Sequence, residues 1–158
     1  MRILYKRGIK MDIRWEIKSF GDLSNEELYQ ILRLRSEVFV VEQNCAYLDL
    51  DNYDQQALHV MGITEAGLAA YTRLFQPGIK FDMASIGRVV TSPSARRHGF
   101  GRELMNVSIA VLHDKWGKMP IKIGAQQYLQ KFYESLGFVQ SSAMYMEDNI
   151  PHIEMIRA

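Results

Sequence analysis

IGRVVTSPSARRHGFGRELM, residues 86–105, joins an apolar strand pattern to an amphipathic helix through a loop dense in positive charge. Arg96, Arg97 and His98 crowd against Gly99 and Gly101 just where the helix begins. A helix start exposes unpaired backbone N–H groups and a partial positive charge, so it suits an anion. Glycine removes the side chains that would hold a phosphate away from those donors. One helix-end interaction contributes only about 0.3–1 kcal/mol at a surface, so several donors have to converge. This stretch supplies them, and the expectation is a loop that holds a pyrophosphate. Its competing reading is a solvated basic turn.

Two familiar phosphate loops do not fit. A Walker loop needs Gly-Lys-Ser/Thr, which is missing, and a dinucleotide fingerprint needs a third glycine where Leu104 stands. What remains is R-x-x-G-x-G at Arg96, Gly99 and Gly101, between a strand and a helix.

Outward from the loop, apolar periodicity sets the elements. DIRWEI alternates, with Ile13, Trp15 and Ile17 on one side, and reads as a strand. SNEELYQILRLRSEVF reads as a helix, with Ser24 and Glu27 forming a capping-box signature. Acid-rich VEQNCAYLDLDNYDQQ reads as a loop, and ALHVMGITEAGLAAYTRLF as a hairpin turning at Ala66 and Gly67. The helix that follows the glycines carries a wide apolar face from Leu104 to Trp116. PIKIGA reads as a strand, QYLQKFYESL as a helix ended by Gly137, and FVQSSAMYMED and HIEMIR as final strands. The order β-α-β-β-β-α-β-α-β-β predicts an α/β (α+β) sheet with helices packed on it.

The 158 residues suit one domain and bury roughly 70% of the unfolded surface. A net charge of +1 leaves no global field for nucleic acid or an anionic membrane, so phosphate recognition has to be local. Cys45 is the only cysteine, which rules out an intrachain disulfide and fits a cytoplasmic location. No apolar run has the length of a membrane span. Residues 1–11 are expected to be an N-terminal extension, with Met11 as an alternative start, and residues 12–158 a single domain.

The R-x-x-G-x-G loop and the later AQQYLQKFYESLGF, where an aromatic–tyrosine pair precedes Gly137 and Phe138, together resemble the GNAT superfamily of acyl-CoA-dependent N-acetyltransferases. VFVVEQNC (38–45), IGRVVTSPSAR (86–96), GAQQYLQKFYESLGF (124–138) and IPHIEM (150–155) look like its ElaA-type branch. The resemblance implies a mixed, mostly antiparallel central sheet of six to seven strands flanked by helices. It also implies acetyl-CoA as co-substrate, a primary amine as acceptor, and no metal. A homodimer is among the arrangements it leaves open.

Carried over residue by residue, the resemblance has Val89, Val90 and Thr91 offering backbone groups to the pantetheine arm, although plain core packing fits the valines equally. The loop Arg96, Arg97, His98, Gly99, Phe100, Gly101 and Arg102 would hold the pyrophosphate. Gln126 stands where the family usually has an asparagine that reaches the arm, and Phe132 would line the thioester end. Tyr133 resembles the tyrosine that protonates the departing thiolate; the bland alternative is a buried tyrosine with a satisfied hydroxyl.

The general base is open, because Arg88 occupies the strand position where many relatives have a glutamate. Glu42 is preferred, as an acid drawn into the cleft behind an apolar run, with His59 and His152 as further candidates. Asp49, Asp51 and Asp54 join Glu42 in an acid cluster expected to attract a cationic amine. Arg73 and Arg88, set in apolar strands, need partners, and those acids could supply them. The acids do not fit a calcium loop, and the histidines and Cys45 lack zinc spacing. The expected function is amine acetylation by direct attack. The rival is a CoA-binding sensor or interaction module with reduced turnover.

Overall fold

The computed structural model describes residues 11–158. The extension assigned to residues 1–11 lies outside them except for Met11, which packs against the core. Apolar alternation produces β1 (Arg14–Ser19), β2 (Leu58–Thr64), β3 (Gly67–Phe75) and β4 (Ala84–Thr91) as an antiparallel run, each strand bonded to the next. β5 (Ile121–Gln126) then joins β4 in parallel, and β8 (Ile150–Arg157) pairs with β5 antiparallel. β6 (Val139–Gln140) and β7 (Tyr145–Glu147) both pair with β8, which completes one eight-stranded sheet.

The eighth strand departs from the six or seven expected. FVQSSAMYMED does not stay extended throughout: Ser142 Oγ accepts the Glu154 N–H at 2.9 Å, where a backbone carbonyl would serve in a regular ladder. That side-chain bond splits the edge into β6 and β7.

Helices cover both faces. Helix α1 (Asn25–Arg35) starts on the expected capping box: Ser24 Oγ accepts from the Glu27 N–H at 3.1 Å, and Glu27 accepts from the Ser24 N–H at 2.8 Å. Its apolar side, with Ile31 and Leu34, meets Met61, Tyr71 and Val90. Helix α2 (Phe100–Trp116) lies on the opposite face, where Leu104, Met105, Ile109 and Leu112 meet Val60, Leu74 and Ile86. The two cores draw on alternate residues of the same strands, as Val60 and Met61 show, which is the period of a pleated sheet. At the edge, Trp15 Nε1 donates to Glu103 at 2.9 Å and ties β1 to α2. QYLQKFYESL is helical only in part, a tight turn at Gln127–Leu129 leading into the short α3 (Gln130–Glu134).

Candidate active site

Two irregularities open this sheet. β4 and β5 pair only at Ala84–Ile121 and Ser85–Lys122, and beyond that they part. The edge of β4 facing β5 is therefore without a strand partner from Ile86 onward. β4 also carries a bulge: its register against β3 shifts between Arg73–Gly87 and Tyr71–Val90, and Arg88 sits inside the shift at φ 54°. A left-handed arginine in a strand is strained. It is held in place by Asp49, which accepts from Arg88 Nε at 2.8 Å while its backbone carbonyl accepts from Nη2 at 2.9 Å. Thr72 closes the other side, donating to the Gly87 carbonyl at 2.7 Å.

The parted strands enclose a cleft of about 560 Å³. Val89, Val90 and Thr91 line it from β4, and Gln126, Phe132 and Tyr133 from the β5 side. Arg96 and Gly101 stand at its mouth. At the helix start, Gly99 is left-handed at φ 77° and offers no side-chain cap, and the first intrahelical bond is from the Glu103 N–H to the Gly99 carbonyl. The amides of Phe100, Gly101 and Arg102 thus remain free of helix partners. A methyl group at Gly101 would touch Phe132 and Thr91 at an ordinary 3.9 Å, so packing does not require glycine there. Its bareness keeps the mouth open.

The other loop residues stand apart from the cleft wall. Arg97, His98 and Gly99 are exposed, and the Phe100 ring is buried in the α2 core, so only its backbone is available. Arg102 is also exposed, donates to Ser135 at 2.8 Å and lies over the Phe132 ring at 5.8 Å.

Tyr133 is 5% exposed and lines the cleft, and its hydroxyl makes no hydrogen bond among the described residues. Burial, with a smaller contribution from Tyr128, pushes the phenol above its ordinary range and keeps it protonated. Gln126 is engaged across the cleft: it and Gln43 exchange side-chain amide bonds of 3.1 and 3.3 Å. Gln43 was not legible as a site residue, since its role depends on a partner 83 positions away.

The base candidates separate clearly. Glu42 does line the cleft, but it accepts from Arg96 Nη2 at 2.7 Å, and both side chains are 41% exposed. It stands in the cleft wall as a half-exposed acid paired with a cation of the loop. His59 lies outside the cleft lining and is fully buried, with Nδ1 at 2.7 Å from the Tyr71 hydroxyl and Nε2 at 2.9 Å from the Asp54 carbonyl. Burial, against the pull of the Asp54 carbonyl and charge, lowers its pKa. Both nitrogens are in use, so its place is structural. His152 lines the cleft at 9% exposure. Its Nδ1 is 2.7 Å from the Ile150 carbonyl, which can only accept, so that nitrogen carries a proton. Glu147 lies 3.4 Å from Nε2.

The acid cluster is saturated with cations. Arg35, fully buried, donates to Asp49 at 2.8 Å and to Asp54 at 2.6 Å. Arg73 bonds Asp54 at 2.9 Å and also pairs with Asp51. Burial opposes ionisation of Asp51 and Asp54, but their arginine partners outweigh it and hold both below the usual carboxylate range. These acids hold the fold rather than a free amine, which corrects the expectation of a cation-attracting cluster. Leu28, Ile31, Leu32, Arg35 and Phe39 share helical spacing in the sequence, which puts Arg35 on the apolar side of α1 beside Ile31. A buried arginine on such a face was itself the signal.

A sheet parted beside a bulged strand, with open helix amides at the mouth of the gap, is the architecture of a GNAT acyltransferase. The chain belongs to that family: residues 22–158 match the acetyltransferase (GNAT) domain. It is similar to the protein ElaA of Escherichia coli, at 39% identity over 92% of this chain and 96% of that one. An acyl-CoA N-acyltransferase from Pseudomonas aeruginosa has a similar structure, with a TM-score of 0.88 and 41% identity over 93% of this chain and all of that one. An aminoglycoside 6'-N-acetyltransferase complexed with coenzyme A shares the fold at 17% identity and a TM-score of 0.64, covering 90% of this chain and 96% of that one.

Proposed function

We propose that the protein is a cytoplasmic N-acetyltransferase that moves the acetyl group of acetyl-CoA to a primary amine by direct attack. One observation carries the reading: the free amides around Gly101 open onto the same cleft as the unpartnered edge of β4. Those amides, with Arg96, would hold the pyrophosphate, and β4 would receive the pantetheine arm as an added strand.

Tyr133 is the acid. A phenol kept protonated by burial, with a hydroxyl unpartnered among the described residues, gives its proton to the departing sulfur as the C–S bond breaks. An alkylammonium with a pKa near 10.4 costs about 4–5 kcal/mol to deprotonate at pH 7, so a base is needed. His152 takes that role through Nε2, directly or through one water, and Glu147 pairs with the imidazolium that results. Glu42 has a different part: released from Arg96, it frees that guanidinium for phosphate.

The test has two readouts on the same protein. Calorimetry should detect acetyl-CoA binding, and a thiol-reactive dye should detect CoA release when an amine is added. Binding without release across a broad amine panel would favour the sensor reading; no binding would end both.

A further inference from the structure

The cleft extends past the region assigned to acetyl-CoA. β4 spans eight residues, about 26 Å at 3.3 Å per residue, with Arg96 beyond its C-terminal end and Lys80 and Phe81 before its start. The end away from the arginine loop is walled by Tyr47, Arg73, Phe75, Lys80, Phe81 and Arg88.

This wall has more positive charge and more donors than the protein itself uses. Around it three carboxylates, Asp49, Asp51 and Asp54, face four cations, Arg35, Arg73, Arg88 and Lys80. One positive charge is in excess. Arg73 Nε is fully buried and has no hydrogen-bond partner among the described residues. Arg88 spends Nε and Nη2 on Asp49, while Nη1 has no hydrogen-bond partner among the described residues and its side chain is 24% exposed. Lys80 reaches only Asp51 Oδ2, at 3.7 Å, beyond hydrogen-bond range, and otherwise lies over the Tyr53 ring at 4.0 Å. The facing wall is different in sign: Glu147 and Asp148 line it beside His152.

We propose that the acceptor is a primary amine that also carries a carboxylate, the carboxylate held by Arg88 and Lys80 and the amine placed toward His152 and Glu147. A carboxylate accepts only and offers about four lone-pair sites, which matches a wall of surplus donors. An amine without an anionic group would meet uncompensated positive charge there. Tyr47, Phe75 and Phe81 give the same end apolar surface for the rest of the acceptor. This inference rests on the acetyl-transfer reading above.

The experiment measures CoA release with a panel of free α- and ω-amino acids, each compared with its own carboxamide. Acids should show kcat/KM about tenfold or more above their amides, in line with loss of a charge-assisted contact. In Lys80→Met that ratio should collapse toward one, and in Lys80→Glu it should invert. Because the ratio is internal to each protein, a variant that folds poorly loses both arms alike and leaves it interpretable. Equal or better turnover of the amides by the wild type overturns the proposal, as does acetyl-CoA binding with no acid acylated. Failure to bind acetyl-CoA at all is a different result, and it removes the acetyl-transfer reading on which the proposal stands.

Discussion

Tyr133 and Phe132 are neighbours in sequence with different duties, and burial separates them. The Tyr133 ring packs edge-on against Phe132 and Phe138, with centroids at 5.1 and 6.0 Å, which fixes the phenol while leaving its hydroxyl to the cleft. Tyr133→Phe keeps that packing and removes only the hydroxyl. We expect kcat to fall by about 10²-fold or more, the usual contribution of a positioned proton donor, with acetyl-CoA affinity unchanged. Steady-state kinetics beside calorimetry reads both, and equal turnover in the two proteins would remove Tyr133 from the mechanism. At the same scale, the strained φ of Arg88 shows how one residue shapes a strand: Asp49 holds the bulge where a regular ladder would have kept β4 straight.

Among the elements, α2 combines two jobs that a single glycine lets us separate. Its side chains from Leu104 onward build the core, while its first turn faces the cleft. Gly101→Ala improves helix propensity by up to about 1 kcal/mol and meets no clash inside the protein. The methyl group would nevertheless stand at the mouth of the cleft. Stability and binding should therefore move in opposite directions: the urea midpoint holds or rises while acetyl-CoA affinity falls. A variant that binds acetyl-CoA as tightly as the wild type would exclude this turn as the pyrophosphate site. β2 makes the opposite case. A Cβ at Gly62 would come within 2.6 Å of the Trp15 ring, so Gly62→Ala should cost about 1–3 kcal/mol by overpacking, read from urea unfolding.

For the whole molecule, the buried charge network joins α1, the loop after it, β3 and β4. Arg35 is its centre, and Arg35→Met should destabilise the fold by about 3–5 kcal/mol, toward the lower figure because Arg73 and Arg88 still serve the aspartates. The effect has a pH signature. Asp54, which Arg35 and Arg73 hold below the unfolded carboxylate range, contributes stabilisation that is present above about pH 4 and is lost as pH falls toward its folded value. The gap in urea midpoint between wild type and Arg35→Met should accordingly be wide at pH 7 and narrow below about pH 4. A gap that stays constant into acid would show that packing, not charge, carries the loss.

Most elements were legible in the chain because their causes are local. Strand alternation, the Ser24–Glu27 capping box, the β2–β3 turn (at Glu65–Ala66, one residue before the expected Ala66–Gly67) and the glycine-marked start of α2 each depend on residues a few positions apart. The pairings of charge were not. Asp49 and Arg88 are 39 positions apart and Glu42 and Arg96 54, so sequence offered the acids and the arginines without showing that they neutralise one another. The parting of β4 from β5 was equally hidden, since α2 intervenes and the two strands touch at two positions only. Sequence by itself determined most of the elements, their order and the glycine-marked turn that starts α2, through short-range periodicity and backbone chemistry. Only the tertiary structure decided which charges remain uncompensated in the cleft, because electrostatic balance is a sum over groups that folding alone brings together.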